Sequence, residues 1–244
     1  MKNDEIRKVV KTLIERTSNF IPSTRQNNRD GGYGNTLEDL FGVQENNLQE
    51  ADWRGIELKT HRINTTSVVS LFSKSPSYPK GANRKLKDKY GELRDGEPRL
   101  YASLRGDYGA LVYGKHQMRL LSNDVESRLY LQIESNGVLD KETYWTYDAL
   151  KKASHKVKDL LLMEVEEQII NKQRMCRYVK GYYCTKFDFM RLIRLIDDGT
   201  IQFDLRMGTY LSGKNKGKSH DHGSGFRIPL SKFPLLFENI EEIK

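Results

Sequence analysis

The chain has 244 residues, of which 37% are hydrophobic and 30% are charged. Its 41 lysines and arginines exceed its 33 aspartates and glutamates, which gives a formal charge of +8. This composition excludes a fully disordered chain and fits one large domain, or a domain with a subsidiary lobe. The positive charge is compatible with a polyanionic partner, although net charge alone does not establish one.

The cysteines and the apolar runs both indicate a reducing, cytoplasmic setting. Cys176 and Cys184 form neither a disulfide framework nor the spacing of a zinc site. The longest apolar runs, such as residues 160–163, fall far short of the about 20 residues that span a membrane. The N-terminal residues also lack the apolar stretch of a signal peptide. We therefore expect a cytoplasmic protein that has no membrane partner.

The predicted elements begin with an amphipathic helix. Apolar residues between Ile6 and Ile14 are spaced by three and four, which predicts a helix that runs to about Phe20. A polar, glycine-bearing loop follows. Residues 35–42 then predict a short helix that ends at Gly42.

Residues 56–61 alternate strictly between apolar and polar side chains, which predicts a β-strand. Ile56 and Leu58 point to one face, which we expect to be buried. Glu57, Lys59 and His61 point to the other face. We therefore expect a half-buried strand that carries the chemistry on its open side.

The rest of the chain mixes strands and helices. In chain order, the pattern predicts a strand at 68–72, a basic loop or short helix at 75–91, antiparallel strands within 100–133, a helix at 148–158, a buried strand at 160–165, a helix at 188–199, and two paired strands at 201–211 and 226–230. In the strand at 201–211, Asp204 and Arg206 face away from the apolar side. These elements together predict an α/β protein.

Asp52, Glu57 and Lys59 form a pattern that suits phosphodiester hydrolysis. Two convergent carboxylates hold one or two hard divalent ions such as Mg²⁺ through oxygen, and the metal stabilises negative charge in the transition state. Lys59 would orient the attacking water or neutralise charge on the phosphate. The alternative is a solvated strand face, in which a Glu57–Lys59 pair contributes less than about 1 kcal/mol.

The segment from residue 212 to residue 227 is rich in lysine, glycine and histidine. Lys214 and Lys216 can neutralise phosphates, and glycines allow the backbone to approach a groove closely. Arg206 and Arg227 can each read guanine in the major groove, which is worth about 1 to 3 kcal/mol of discrimination apiece. The alternative is a flexible, solvated loop without a binding role.

His220, Asp221 and His222 within this segment have two interpretations. Residues two apart on a strand can share a metal ion, but the sequence offers no third soft ligand nearby. Hydrogen bonds to bases or phosphates are the better functional hypothesis.

Nine segments of the chain can be compared with known proteins as one ordered set: residues 32–40, 52–61, 71–76, 81–83, 89–91, 144–145, 204–208, 212–214 and 220–227. Together they resemble the MvaI/BcnI family of type II restriction endonucleases. The resemblance spans about residues 32–228, is closer to the MvaI branch than to the BcnI branch, and is weakest at residues 93–142. More distantly, the family is similar to MutH, the mismatch-repair nicking enzyme.

The resemblance implies a PD-(D/E)XK restriction-endonuclease-like core, with a mixed sheet flanked by helices and two lobes around a DNA cleft. It implies Mg²⁺-dependent cleavage of double-stranded DNA at a short CCxGG-type site, by a monomer that nicks each strand in turn. We expect a catalytic lobe over about residues 1–92 plus part of the middle, and a recognition lobe over about residues 143–244. The expected functional partner is a cognate DNA methyltransferase.

The resemblance also carries roles to individual residues. Asp52, Glu57 and Lys59 match the catalytic triad, Asp52 and Glu57 match its metal ligands, and Glu38 matches an accessory helix glutamate. Ala51 stands where the family motif has proline. With the basic loop included, the expected DNA-binding residues are Lys74, Arg206, Lys214, Lys216, His220, Asp221, His222 and Arg227. His61 and Lys74 lie in matching segments, but their roles stay unassigned.

Three other functions stay open. A MutH-like enzyme of DNA repair would nick a single strand. A DNA-binding module with an inactive nuclease core would not cleave at all. RNA binding is compatible with the charge only. The residue types do not determine the central base pair of the site, the cut position, the methylation sensitivity or the number of metal ions.

Overall fold

The computed structural model describes residues 2–26, 32–43, 51–63, 65 and 68–244. The chain divides into two compact units: the first comprises Met1–Val69, His155–Asp188 and Phe233–Lys244, and the second comprises Ser70–Ser154 and Phe189–Lys232. The sequence predicted a catalytic lobe at about residues 1–92 plus part of the middle, and a recognition lobe at about residues 143–244. The units are instead assembled from separate segments, because strands that are distant in sequence pair with each other.

The α-helices are short apart from the first. They are α1 Lys2–Thr17, α2 Gly32–Leu40, α3 Ala82–Tyr90, α4 Tyr147–Ser154 and α5 Phe189–Asp197. Turns of 3-10 helix lie at His155–Val157, Gly213–Asn215 and Leu230–Leu236. The predicted helix at 148–158 is therefore shorter than expected and ends in a 3-10 turn. No helix in the described ranges is long and apolar enough to cross a membrane.

The β-strands contain more of the described residues than the helices do. They are β1 Ile21–Pro22, β2 Glu57–Arg62, β3 Val68–Phe72, β4 Glu92–Arg94, β5 Glu97–Leu104, β6 Ala110–Val112, β7 His116–Asn123, β8 Arg128–Ser135, β9 Val138–Thr146, β10 Leu160–Ile170, β11 Gln173–Phe187, β12 Gln202–Thr209, β13 Ser219–Asp221, β14 Gly225–Pro229 and β15 Phe237–Ile243. The sequence pattern did not reveal β11 or β15.

The first unit is built on a mixed sheet with the strand order β1-β11-β10-β2, in which β15 also pairs with β11. β2 is parallel to β10, and β10 is antiparallel to β11. Helix α1 packs against β11 and β15, and helix α2 packs against β2. Their apolar faces share one core, which includes Val10, Leu37, Leu58 and Leu161. The predicted α/β core with a mixed sheet flanked by helices is confirmed.

The second unit contains two sheets. One sheet has the order β3-β14-β12-β5-β4, with β13 paired to β12, and the other has the order β6-β7-β8-β9. The rings of Trp145, Phe203 and Phe226 are buried together, with centroids of Trp145 and Phe203 4.9 Å apart. The segment predicted as one long loop is partly ordered, because Ser219–Asp221 pairs with β12.

Candidate functional site

A tight turn places Asp52 beside the start of β2. The backbone groups of Trp53 and Ile56 exchange hydrogen bonds of 3.0 and 2.8 Å, and Gly55 supplies a positive φ of 78° between them. This turn brings the Asp52 carboxylate back to β2, where its Oδ2 accepts a hydrogen bond of 2.9 Å from the Leu58 amide. Because the chain reverses at this turn, the Asp52 side chain lies next to β2, the strand that contains Glu57.

Glu57 lies at the centre of the site and is almost completely buried, with 1% exposure. Its Oε1 lies 2.5 Å from Nζ of Lys59 and 3.1 Å from Nζ of Lys156. Its Oε2 is buried and has no hydrogen-bond partner within the described part of the chain. The predicted open face of β2 is therefore not open at Glu57, because lysine side chains rather than water surround one of its oxygens.

The environment of Asp52, including the Glu57 carboxylate, shifts the pKa of Asp52. Burial raises the pKa of Asp52, and the charge of Glu57 raises it further. The Leu58 amide, Lys59 and Lys156 act in the opposite direction. The two carboxylates are therefore close enough to repel each other, and a cation between them would relieve that repulsion.

The donor set of this site fits a hard divalent ion. Asp52 and Glu57 offer oxygen alone, and the partnerless Oε2 of Glu57 is an uncompensated acceptor. In the part of the chain that the structure describes, no three His, Cys, Asp or Glu side chains form a metal-binding group. A Mg²⁺ ion suits such a set, since it commonly takes one or two carboxylates and completes its shell with water and phosphate oxygens.

Helix α2, which contains Glu38, packs against β2. A side chain at Gly34 would begin 3.5 Å from Oγ1 of Thr60 on β2. The ring of Phe41 lies 4.9 Å from that of Trp53, next to Asp52. Glu38 is one helical turn beyond Gly34 and therefore shares its face. Glu38 therefore lies on α2 between Gly34, which approaches β2, and Phe41, which packs on the turn that carries Asp52.

Lys156 is a site residue that the sequence did not reveal. It lies in the 3-10 turn before β10, and β10 runs parallel to β2 with Leu160 opposite Glu57. This register brings the turn to the beginning of β2. A lysine in an apparently ordinary helix gives no signal by itself, because its approach to Glu57 depends on strand pairing. His61 lies further along β2 and is 4% exposed.

In the second unit, neighbouring strands β5 and β12 form the other candidate site. Asp204 is opposite Ser103, and Arg206 is opposite Tyr101. The alternate residues of β12, such as Leu205, are buried in the core. Asp204 faces away from the apolar side as predicted, yet it is only 4% exposed. Tyr101 and Ser103 were not predicted as site residues, since their strand becomes relevant only through this pairing.

The two arginines predicted to read base edges converge on Asp204. Nη2 of Arg206 lies 2.9 Å from Oδ2 of Asp204, and Nε of Arg227 lies 3.0 Å from the same oxygen. Arg227 also donates from Nη2 to the Gly223 carbonyl at 3.0 Å. Burial lowers the pKa of Arg227, and the Asp204 charge opposes this effect. An arginine stays protonated under all ordinary conditions, so both side chains are cations.

The Asp221 side chain shapes the turn after β13. Its Oδ1 accepts hydrogen bonds from the amides of Gly223 and Ser224, and its Oδ2 accepts one of 3.0 Å from Nδ2 of Asn83. The Ser224 hydroxyl in turn accepts a hydrogen bond from the Arg206 amide. Asp221 therefore holds the loop in place beside Arg206.

The His222 ring packs over β12 at a glycine. A Cβ at Gly208 would lie 2.8 Å from Nε2 of His222, so this close approach requires glycine. The rings of His220 and His222 meet edge to face at 4.1 Å. Burial lowers the pKa of His222, as do the charges of His220 and Arg99. The lowered pKa favours a neutral imidazole at pH 7.

A cavity of about 450 Å³ opens on this side of the sheet. The side chains that line it include Tyr101, Ser103, Asp204, Arg206 and His222. The predicted DNA-binding lysines lie elsewhere on the unit. Lys214 and Lys216 are exposed in the loop between β12 and β13, and the Lys74 carbonyl accepts a hydrogen bond from Trp145.

The chain is similar to proteins of known structure over nearly its whole length. Restriction endonuclease MvaI in complex with its cognate DNA substrate is 28% identical, with 99% of this chain and 98% of that chain covered and a TM-score of 0.87. MvaI in the absence of DNA is 27% identical, with coverages of 98% and 96% and a TM-score of 0.63. No curated protein matches the chain significantly.

A family model gives the same assignment from sequence. The model of the MvaI/BcnI restriction endonuclease family matches residues 11–237. This match includes the Asp52–Glu57–Lys59 strand and the arginines of the second unit. The chain therefore belongs to the MvaI/BcnI restriction endonuclease family.

Proposed function

We propose that this protein is a Mg²⁺-dependent type II restriction endonuclease that cleaves double-stranded DNA at a short CCxGG-type site. The observation that carries the proposal is the cluster of Asp52, Glu57 and Lys59 in a member of a restriction endonuclease family. In support, the similar protein MvaI has been solved as a complex with its cognate DNA substrate.

Asp52 and Glu57 would hold one or two Mg²⁺ ions, because they present the oxygen donors that this ion prefers. When bound, Mg²⁺ supplies positive charge that stabilises the negative charge developing on the phosphate. The Lys59 ammonium orients the attacking water or neutralises that developing charge. Glu38, on the helix beside Asp52, acts as an accessory carboxylate. Lys156 and Lys59 both place a positive charge beside Oε1 of the buried Glu57.

The second unit carries sequence recognition in this proposal. Arg206 and Arg227 read guanines through the two acceptors on the major-groove edge, and His220 and His222 provide further hydrogen bonds to bases. Lys214, Lys216 and Lys74 neutralise phosphates. The enzyme acts in the cytoplasm as a monomer that nicks each strand in turn, and a cognate methyltransferase protects the host DNA.

The test is incubation of the purified protein with unmethylated supercoiled plasmid, with and without Mg²⁺, followed by sequencing of the ends. Discrete Mg²⁺-dependent fragments with one short sequence at their ends are expected. Nicked circles alone would indicate a single-strand nicking enzyme of the MutH type. Intact plasmid under all conditions would indicate a DNA-binding protein without nuclease activity.

A matched variant assigns the activity to this site. Glu57→Gln keeps the shape of the side chain but removes its charge, so we expect it to bind DNA without cleaving it. Thermal unfolding gives a second measurement that is independent of activity. Mg²⁺ should raise the melting temperature of the wild-type protein and leave that of Glu57→Gln nearly unchanged, since a ligand stabilises only the state that binds it.

A further inference from the structure

Both carboxylate oxygens of Asp204 are contacted from within the protein. Besides the two arginines at Oδ2, the carboxylate accepts hydrogen bonds at Oδ1 from the Ser103 hydroxyl at 2.8 Å and from the Gln202 amide at 3.0 Å. Three donors thus form hydrogen bonds with the carboxylate, and Nε of Arg227 adds an ion pair at 3.0 Å. With 4% exposure, Asp204 is nearly inaccessible to a base edge.

The arginines on the same oxygen differ in how tightly they are held. Arg227 is held by an ion pair between Nε and Asp204 and by a hydrogen bond from Nη2 to the Gly223 carbonyl, and its side chain is 15% exposed. Among the described residues, Asp204 is the one partner that holds the Arg206 guanidinium, through Nη2, and the Arg206 side chain is 43% exposed. Each guanidinium keeps further N–H groups that can donate to a ligand, because it has five in all.

Two guanidinium groups this close repel each other, and Asp204 is the anion that they share. The pair with Asp204 carries one net positive charge instead of two, in a fixed geometry. A flexible arginine would lose rotamer freedom on binding a base, whereas an arginine that is already held loses less. The carboxylate therefore favours the conformation that presents both cations together.

We propose that Asp204 is a positioning residue for site recognition, which holds Arg206 and Arg227 in the orientation that reads two guanines and does not itself contact a base. This inference rests on the proposed function of the second unit. It goes beyond that function because it assigns a role to the buried carboxylate that both arginines contact. Specificity thus requires a residue that never meets the DNA.

The experiment measures binding in a Glu57→Gln background with Mg²⁺ present, so that the DNA stays intact. The probes are short labelled duplexes with a central CCAGG or CCGGG sequence, and matched duplexes in which one flanking G·C pair is replaced by A·T. The preference is the ratio of the affinity for the tighter-binding of the two sites to the affinity for its altered duplex. We expect Asp204→Asn to lower this ratio by about tenfold or more, because the contacts of the arginines with guanine weaken. The affinity for the altered duplexes should stay the same or increase, since the variant loses a negative charge that repels phosphates.

A double-mutant comparison separates positioning from direct contact. If Asp204 acts through the arginines, Asp204→Asn should have little further effect on the preference in an Arg206→Ala/Arg227→Ala background. An equal loss of preference in both backgrounds would overturn the inference, since Asp204 would then act without the arginines. Equal weakening of binding to all duplexes would also overturn it, because that result indicates general damage to the fold.

Two further variants keep the inference testable. Asp140→Asn removes another carboxylate of the second unit, which binds Lys89 and Tyr90, and should leave the preference intact. If Asp204→Asn unfolds, Asp204→Glu retains the charge but displaces the carboxylate, and positioning predicts the same loss of preference. A parent protein without any preference would contradict the proposed function as well, whereas a preference that survives both Asp204 variants would contradict this inference alone.

Discussion

The ammonium group of Lys156 lies 3.1 Å from Oε1 of Glu57, the same oxygen that Lys59 contacts at 2.5 Å. A buried carboxylate is costly to ionise unless cations or hydrogen-bond donors compensate its charge. Two lysines from different segments share that role here. The site is therefore assembled by the parallel pairing of β2 with β10, and not by the local motif alone.

Lys156→Gln should reduce the rate of DNA cleavage by about a hundredfold, as the loss of one positioned charge at an active site commonly does. Lys59→Gln should abolish cleavage. Single-turnover cleavage of a plasmid measures both effects. Lys158→Gln, which removes an exposed lysine two positions further on, is the control and should retain the wild-type rate. Equal rates for Lys156→Gln and wild type would show that Lys156 has no part in the reaction.

Asp52→Asn should abolish cleavage and raise the melting temperature at neutral pH. Burial and the Glu57 charge raise the pKa of Asp52, so the folded state binds its proton more tightly than the unfolded state. The free energy of unfolding therefore decreases as the pH rises through the range in which Asp52 loses its proton. At pH 7 the ionised Asp52 destabilises the folded state. The difference between variant and wild type should shrink as the pH falls towards 4.

Melting curves between about pH 4 and pH 8 measure this effect, over the range in which an aspartate with a raised pKa titrates. Mg²⁺ should also narrow the difference, because it stabilises the wild-type protein alone. A variant that melts below the wild type at pH 7 would contradict the proposed repulsion between the two carboxylates.

Gly208→Ala should move His222 without unfolding the protein. The new Cβ would lie 2.8 Å from Nε2 of His222, and the imidazole is the mobile end of a side chain that can shift. A displaced, more hydrated ring should regain a higher pKa, which NMR titration of the histidine ring protons measures. Site preference in DNA binding should fall in parallel. In a His222→Ala background, Gly208→Ala should have little further effect.

Lys214→Gln together with Lys216→Gln should weaken binding to all duplexes similarly and leave sequence preference intact. Both lysines are exposed, and each phosphate contact contributes about 0.9 to the slope of log affinity against log salt. The double variant should therefore lower that slope by about 1 to 2. Lys8→Gln with Lys11→Gln on α1 is the matched control. An unchanged slope would indicate that the loop lysines do not contact phosphates.

Local patterns in the sequence were enough to predict several elements of this protein. The spacing of apolar residues predicted α1, and strict alternation predicted β2 with Glu57 and Lys59 on one face. Asp52 is separated from that strand by a short turn, so its approach also follows from local geometry. The family resemblance rests on such short segments, and the family model confirms it.

Contacts between residues that are distant in the chain follow from the pairing of strands. Lys156 reaches Glu57 because β10 lies parallel to β2, and Ser103 reaches Asp204 because β5 lies beside β12. The near-complete burial of Glu57 and Asp204 also has no local signal, since a charged residue on an alternating strand ordinarily faces water. Pairing between strands brings together side chains that are far apart in the chain, and no pattern within one segment encodes that pairing.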